Sequence, residues 1–516
     1  MVYLLLFSLR LYSFLQRVRE KKMNDERVKF SAALKKLGKL NANLKISDLL
    51  HKKKLNDNFI SSPYLSLDFS KQLITEKDFN WLLTIPEKFN LRDSFSELLK
   101  GKYFNPTERR GVSHTIYRQP SRNDDFELVS IEKAKMDTFL TSIKAKESIK
   151  NLICIGIGGS RVGPEFLVEF VNKNEPLNIF FCSSYDLLEL KITLQKCYQM
   201  ETIVVASSKS FSTYETIKNL NMIKAWFHEN PEINPEDHIY GISSSKESMS
   251  AFGIKEDHQF EILDSLGGRF SVWSSMSIPA FVNADFQSYQ DFLEGAFQAD
   301  KYVLESEWEN NISMILALLG IWNASALGIN NHAIFTYNYR LRSLTKYIAQ
   351  LSMESNGKSM NFDSTISPFE TSPLIWGGYG IDSQHSTFQW MLQGKTLTSC
   401  DFIGINNEDS ESKDSYEMLL SQVLAMTLGE DNKKENYKTV PGNNPCSVIQ
   451  LNSLDLKTLG FLMALYEHKV FFEALILGIN PFDQWGVELG KKIVKDANGK
   501  NDFFSNYFPS DFIPKS

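Results

Sequence analysis

Apolar residues in the middle of the chain come in short blocks. Asn151–Ile157 (NLICIGI), Leu177–Phe181, Thr202–Ala206 (TIVVA) and His238–Ile242 are rich in β-branched or aromatic types, with helix-length segments between them. That alternation predicts a parallel sheet covered by helices. The second half repeats the rhythm, with strand-like runs at Ala333–Tyr337, Thr398–Ile403 and Ser447–Leu451. Ile312–Ile329 is long enough to suggest a membrane span, but Asn323, Ser325 and two glycines favour a buried core helix. Leu459–Leu477 reads as a second buried helix. The first hundred residues are mixed and charged, with helical runs such as Lys71–Leu83. Two α/β units follow from this pattern, with soft boundaries near residues 110 and 285.

A chain of 516 residues suggests about three domains, or two large ones. Hydrophobic residues at 42% and charged residues at 23% match ordinary globular usage and exclude a disordered chain, a collagen-like fibre and a small disulfide scaffold. With Lys+Arg at 56 and Asp+Glu at 62, the net charge is −6, which disfavours general nucleic-acid binding. The five cysteines are scattered singly without CxxC spacing, which argues for reduced thiols in a cytosol and against a zinc or disulfide framework. At the start, Val2–Leu15 is apolar but shorter than the roughly 20 residues a bilayer requires. It runs into Arg17, Arg19, Lys21, Lys22 and then Met23. The expectation is that Met23 is the natural start and residues 1–22 an upstream artefact; a membrane-surface anchor is the alternative.

Two loops carry candidate chemistry. The first strand runs into Gly156-Ile157-Gly158-Gly159-Ser160-Arg161, with a helix expected from Glu165. Glycines let backbone approach a ligand, and the helix start favours an anion. A dinucleotide fingerprint needs glycine where Arg161 stands, and the ribose-binding acid is missing at its usual distance. No Gly-Lys-Ser/Thr follows, so a P-loop is excluded. A plain turn and a phosphate site completed by Ser160 stay open. After Thr202–Ala206 comes Ser207-Ser208-Lys209-Ser210-Phe211-Ser212-Thr213. A helix N-cap accounts for one hydroxyl of this cluster. So many hydroxyls beside a lysine suit a phosphate monoester, with its charge and acceptor oxygens.

Seven motifs, in order, resemble the glucose-6-phosphate isomerase (phosphoglucose isomerase) family. They are IGIGGS at 155–160, SKSFSTYET at 208–216, GGRFSVWS at 267–274, MESNGK at 353–358, QHSTFQWMLQG at 384–394, ALYEHK at 464–469 and FDQWGVELGKK at 482–492. Weaker similarity at 67–72 and 105–118 extends the match, and residues 1–22 lie outside it.

The resemblance implies two sugar-isomerase-type domains, each a mainly parallel sheet sandwiched by helices. The smaller would span 111–285 and the larger 286–492, with 23–110 packed on the larger and a helical C-terminal segment whose tail is 493–516. It implies an enzyme that interconverts D-glucose 6-phosphate and D-fructose 6-phosphate through a cis-enediol, as in glycolysis and gluconeogenesis. The phosphate would sit on Gly158, Gly159, Ser160, Ser208, Lys209, Ser210 and Thr213. Ser210 replaces a usual threonine and Tyr214 a usual glutamine. By resemblance Glu354 is the base, His385 opens the sugar ring with help from Lys491, and Arg269 stabilises the enediolate. Gln350 and Gln484 are polar contacts, and Gln484 and Lys491 are expected on one helical face. Trp376-Gly377-Gly378-Tyr379-Gly380 departs from the family's usual WGEPG. The family implies no cofactor or metal, and a cytoplasmic homodimer in which the partner subunit donates the ring-opening histidine. No membrane or nucleic-acid partner is expected. The rivals are a non-catalytic sugar-phosphate sensor of the same fold and a nicotinamide dehydrogenase.

Overall fold

The computed structural model describes residues 22–51, 58–118, 126–171, 177–406 and 410–497, with 503–504, 507–509 and 512. The reading of the first 22 residues as artefact or anchor falls outside the described residues, save for Lys22. In chain order the strands begin with β1 (Phe59–Ser61), β2 (Leu65–Lys71), β3 (Phe104–Asn105) and β4 (Arg110–Gly111). Next come β5 (Asn151–Ile155), β6 (Asn178–Cys182), β7 (Thr202–Ser207), β8 (Ile239–Ser243) and β9 (Gln259–Glu261). The last group is β10 (Asn331–Thr336), β11 (Leu374–Tyr379), β12 (Ser399–Ile405) and β13 (Cys446–Leu451).

The middle group forms an all-parallel sheet in the order β6-β5-β7-β8-β9. Every residue of β5, β7 and β8 is buried. Strands covered by helices on both faces have no solvent side, so they read as unbroken apolar runs. The larger sheet has the order β1-β2-β13-β12-β10-β11, and β3 pairs with β4 apart from both. It is parallel from β13 to β11, and β2 joins β13 antiparallel. The architecture is therefore the expected α/β arrangement of mainly parallel sheets flanked by helices, ending in the helix Trp485–Ala497.

Three local expectations are corrected. Lys71–Leu83 is not one helix: β2 ends at Lys71 and a helix runs only over Glu76–Leu82. Leu65, Leu67 and Phe69 are apolar on alternate positions, the period of a strand. The buried helix expected over Ile312–Ile329 stops at Ile321 and continues as a wider turn over Trp322–Ala326. There Trp322 Nε1 donates to Leu73 O at 3.0 Å and Asn323 Nδ2 to Gln72 Oε1 at 3.1 Å. The helix expected from Glu165 starts earlier, at Gly159.

The helix Leu456–Leu477 is buried over nearly all its length and packs on Phe286–Glu305, Ile312–Ile321 and Leu344–Asn356. It carries Glu467 and His468 into the interior, where charge must be paired. Arg118 donates to Glu467 and, at 2.8 Å, to Asp300 Oδ1; Trp273 Nε1 donates to Glu467 Oε1 at 2.7 Å. Among the described residues no helix is long and apolar enough to cross a membrane. The loops after β5 and β7 leave the carboxyl ends of parallel strands, where open α/β sheets bind ligands.

Candidate active site

The chain leaves β5 at Ile155 and enters the helix Gly159–Val171. That helix starts six residues before the expected Glu165, with Pro164 inside it. Gly158 has φ +59°, a left-handed conformation that glycine adopts without steric cost. A Cβ on Gly158 would lie 3.5 Å from Gln350 Nε2. At Gly159 a Cβ would come within 2.2 Å of the Gly268 carbonyl oxygen. Any side chain there would push the glycine loop off the Gly268–Arg269 backbone. Ser160 sits in the first helical turn, its N–H donating to Ile157 O at 3.2 Å, and the positive end of the helix dipole there favours an anion. Arg161 is held away from that role by ion pairs to Glu165 (3.0 Å) and Glu189 (3.1 Å).

After β7, Thr213 occupies the N-cap of the helix Tyr214–His228 but makes no side-chain capping bond. Its hydroxyl meets Ser208 Oγ at 2.9 Å, and Ser210 Oγ meets Ser212 Oγ at 2.8 Å. The cluster is thus more than a cap. Phe211 has φ +48°, a conformation costing about 1–3 kcal/mol for a non-glycine residue. Its buried ring, 6.0 Å from that of Phe252, anchors the loop while Ser210 and Ser212 stay exposed. The Lys209 carbonyl accepts from Ser243 Oγ at 2.8 Å and Ser244 Oγ at 2.9 Å. Its ammonium lies 3.7 Å from Asp264, in the segment that leads to Arg269.

Arg269 is the hub. Its Nε donates to Ser355 Oγ at 2.7 Å, and one terminal nitrogen donates to Gln484 Oε1 at 2.5 Å. The other donates to the carbonyls of Pro481 and, at 3.1 Å, Asp483. Glu354 Oε2 is 3.5 Å from the guanidinium, and Glu354 keeps 23% of its side-chain surface open. Burial lowers the Arg269 pKa, while Glu354 and Asp483 draw it back up. The helix Leu344–Asn356 carries Gln350 and Glu354 one turn apart on one face, and Gln350 Nε2 donates to Glu354 Oε2 at 3.3 Å. Glu354, Lys358, Asp483, Gln484 and Trp485 line a cleft of about 540 Å³.

The structure therefore joins Gly158, Gly159, Arg269, Gln350, Glu354 and Gln484 in one constellation. It does not join His385 to it. His385 follows the short helix Gly380–Gln384, is exposed, and makes no hydrogen bond or ion pair with Glu354 among the described residues. Gln484 precedes the helix Trp485–Ala497, so the expected shared helical face with Lys491 is corrected. Lys491 is in that helix, but its side chain lies outside the described residues. Lys358 and Asp483, which stand inside two of the motifs, line the same cleft, although residue type alone marks neither for a role. Among the described residues no group of three His, Cys, Asp or Glu could hold a metal ion.

A family model for phosphoglucose isomerase matches residues 68–504. A glucose-6-phosphate isomerase from Acinetobacter baumannii is 34% identical over 496 residues, covering 88% of this chain and 89% of that protein. One from Pseudoalteromonas atlantica is 33% identical over 469 residues, covering 83% and 86%. The crystal structure of a glucose-6-phosphate isomerase from Chlamydia trachomatis superposes with a TM-score of 0.84 at 28% identity, over 93% of this chain and 96% of that one.

Proposed function

Because the chain belongs to the phosphoglucose isomerase family, we propose that it interconverts D-glucose 6-phosphate and D-fructose 6-phosphate. The observation that carries this reading is the Glu354 carboxylate at the cleft, 3.5 Å from a buried arginine. In the proposed reaction the phosphate rests on Ser160, Ser208, Lys209, Ser210 and Thr213. Glu354 takes the proton from C2 of the open-chain aldose and returns it to C1. Such a transfer contributes about 10²–10⁴ in rate. The enediolate develops negative charge, and Arg269, which keeps its proton, stabilises it electrostatically. Gln350 and Gln484 orient the sugar hydroxyls. A phosphate sensor needs the two hydroxyl loops but has no use for the Glu354–Arg269 pair.

Proton NMR of fructose 6-phosphate with the enzyme in deuterated water tests the reading. Glucose 6-phosphate should appear, with some deuterium at C2. Unchanged substrate, with binding confirmed separately, overturns it in favour of the sensor.

The ring-opening step is assigned to His385 of the partner subunit in a homodimer, assisted by Lys491. Two features support this: His385 is exposed away from Glu354, and the C-terminal helix exposes Trp485, Val487, Leu489 and Val494. Mixing and reassociating Glu354→Gln with His385→Ala subunits should restore about a quarter of wild-type activity, since half of the heterodimer's sites are whole. No recovery after exchange overturns donation across the dimer. The five cysteines are buried free thiols, which suits the proposed cytoplasmic setting. The assigned division places the five-stranded sheet in 111–285 and the parallel strands of the other sheet in 286–492. The pairing of β2 with β13 supports docking of 23–110 on the larger unit.

A further inference from the structure

The helix that carries Glu354 ends at Asn356, and Lys358 follows two residues later. Its ammonium crosses to the turn Asn480–Gln484. An ammonium has three N–H donors. All three have acceptors there: the Asn480 carbonyl, the Asp483 carbonyl at 2.8 Å and Asp483 Oδ1 at 2.8 Å. The other carboxylate oxygen of Asp483 accepts from Thr107 Oγ1 and from Asn480 Nδ2 at 2.9 Å. Asp483 is buried, with a side chain 5% exposed against 20% for Lys358. This turn is also what Arg269 grips, through the carbonyls of Pro481 and Asp483 and the Gln484 amide. The Asp483 carbonyl is shared by both cations.

We propose that Lys358 and Asp483 are a positioning unit for the isomerisation: they lock the Asn480–Gln484 turn so that Arg269 and Gln484 stay in register with Glu354. The proposal rests on the isomerase reading. Lys358 does not receive or give the substrate proton; its three donors are spent on the turn. Its charge is faced by Asp483 from the turn, by Glu354 from the preceding helix and by Arg269 across the cleft wall. Misplacing a catalytic group by about 1 Å costs on the order of 10²-fold in rate.

The test is steady-state kinetics with fructose 6-phosphate at pH 7 on Lys358→Met, Asp483→Asn, the double variant and Lys358→Arg, with thermal melting of each. Each single neutral variant should lose about 10²-fold in kcat with KM within about threefold. The double variant should lose no more than the worse single, because the two act as one unit. Lys358→Arg should recover at least tenfold over Lys358→Met. Single variants within threefold of wild-type kcat, losses that multiply in the double, or a change confined to KM each overturn the proposal. Should Lys358→Met fail to fold, Asp483→Asn decides, since it keeps the side chain's size. An inactive wild type overturns the isomerase reading and this proposal with it; an active wild type with unaffected variants overturns this proposal alone.

Discussion

Two arginines are buried within one stretch of this molecule's interior, and they are used in opposite ways. Arg118 meets two carboxylates, Asp300 and Glu467, in surroundings with essentially no exposure, and its guanidinium lies 4.0 Å from the Trp273 ring. Arg269, on the same turn of backbone as Trp273, spends its donors mainly on neutral oxygens of Ser355, Gln484, Pro481 and Asp483. Its closest carboxylate, Glu354, stands back at 3.5 Å and opens to the cleft. The first guanidinium is neutralised where it lies. The second is held mainly by neutral oxygens, and its one ion-pair partner is the carboxylate that opens to the cleft. Burial and ion pairing alone therefore do not mark a working site; the kind of oxygen that holds the cation does.

The comparison breaks first at its carboxylates. Glu354→Gln should lower kcat by about 10²–10⁴, with a melting temperature close to wild type. A kcat within tenfold of wild type would deny Glu354 the role of base. Arg118→Met should do the reverse, removing about 3–5 kcal/mol of stability in urea unfolding because it leaves two carboxylates buried without their cation. That loss should be smaller at pH 6 than at pH 8. Burial pushes the Glu467 carboxyl up to about 7 even with Arg118 pulling it down, so without Arg118 it rises further and is protonated at the lower pH. A group whose pKa is raised by folding lends stability below that pKa and loses it as pH climbs through it.

The pH dependence sharpens the contrast from the other side. Burial pulls the Lys358 ammonium down to about 8, with Asp483 and Glu354 opposing and Arg269 adding to the fall. Between about pH 8 and the ordinary lysine range the unfolded chain binds the extra proton. The Lys358 contribution to stability therefore rises with pH there, while the turn it locks loses its cation. Turnover should decline above about pH 8 without a matching loss of stability, and the decline should move to higher pH in Lys358→Arg. The smallest effect is expected at Tyr214, an exposed ring 5.7 Å from that of Tyr185. Tyr214→Gln should change KM by no more than about twofold and stability by under about 0.5 kcal/mol.

Mostly apolar runs make β5, β7 and β12 legible because a strand covered on both faces has no solvent side, even though β12 buries Asp401. β11 was not legible: Leu374–Tyr379 lies at a sheet edge, holds two glycines and shows no β-branched run beyond Ile375. β2 did carry its signal, the alternation from Leu65 to Phe69, but the charged residues after it drew the reading toward a helix. At the site, the two hydroxyl loops could be argued from residue chemistry. Glu354 and Arg269 could not, since a lone carboxylate or arginine in a sequence has no direction. Their identification came from motif resemblance. The Lys358–Asp483 contact joins positions far apart in the chain, and nothing local to either residue reports it.

One backbone contact has a consequence for what the enzyme accepts. Gly159 rests on the Gly268 carbonyl with no side chain between them, so the glycine loop and the arginine turn are packed backbone against backbone. With the phosphate end of a sugar seated on one edge of that contact, the distance to the carbons facing Glu354 is set by the fold, as on a ruler. Two glycines that carry no chemistry of their own thereby fix the spacing between the two ends of the proposed site.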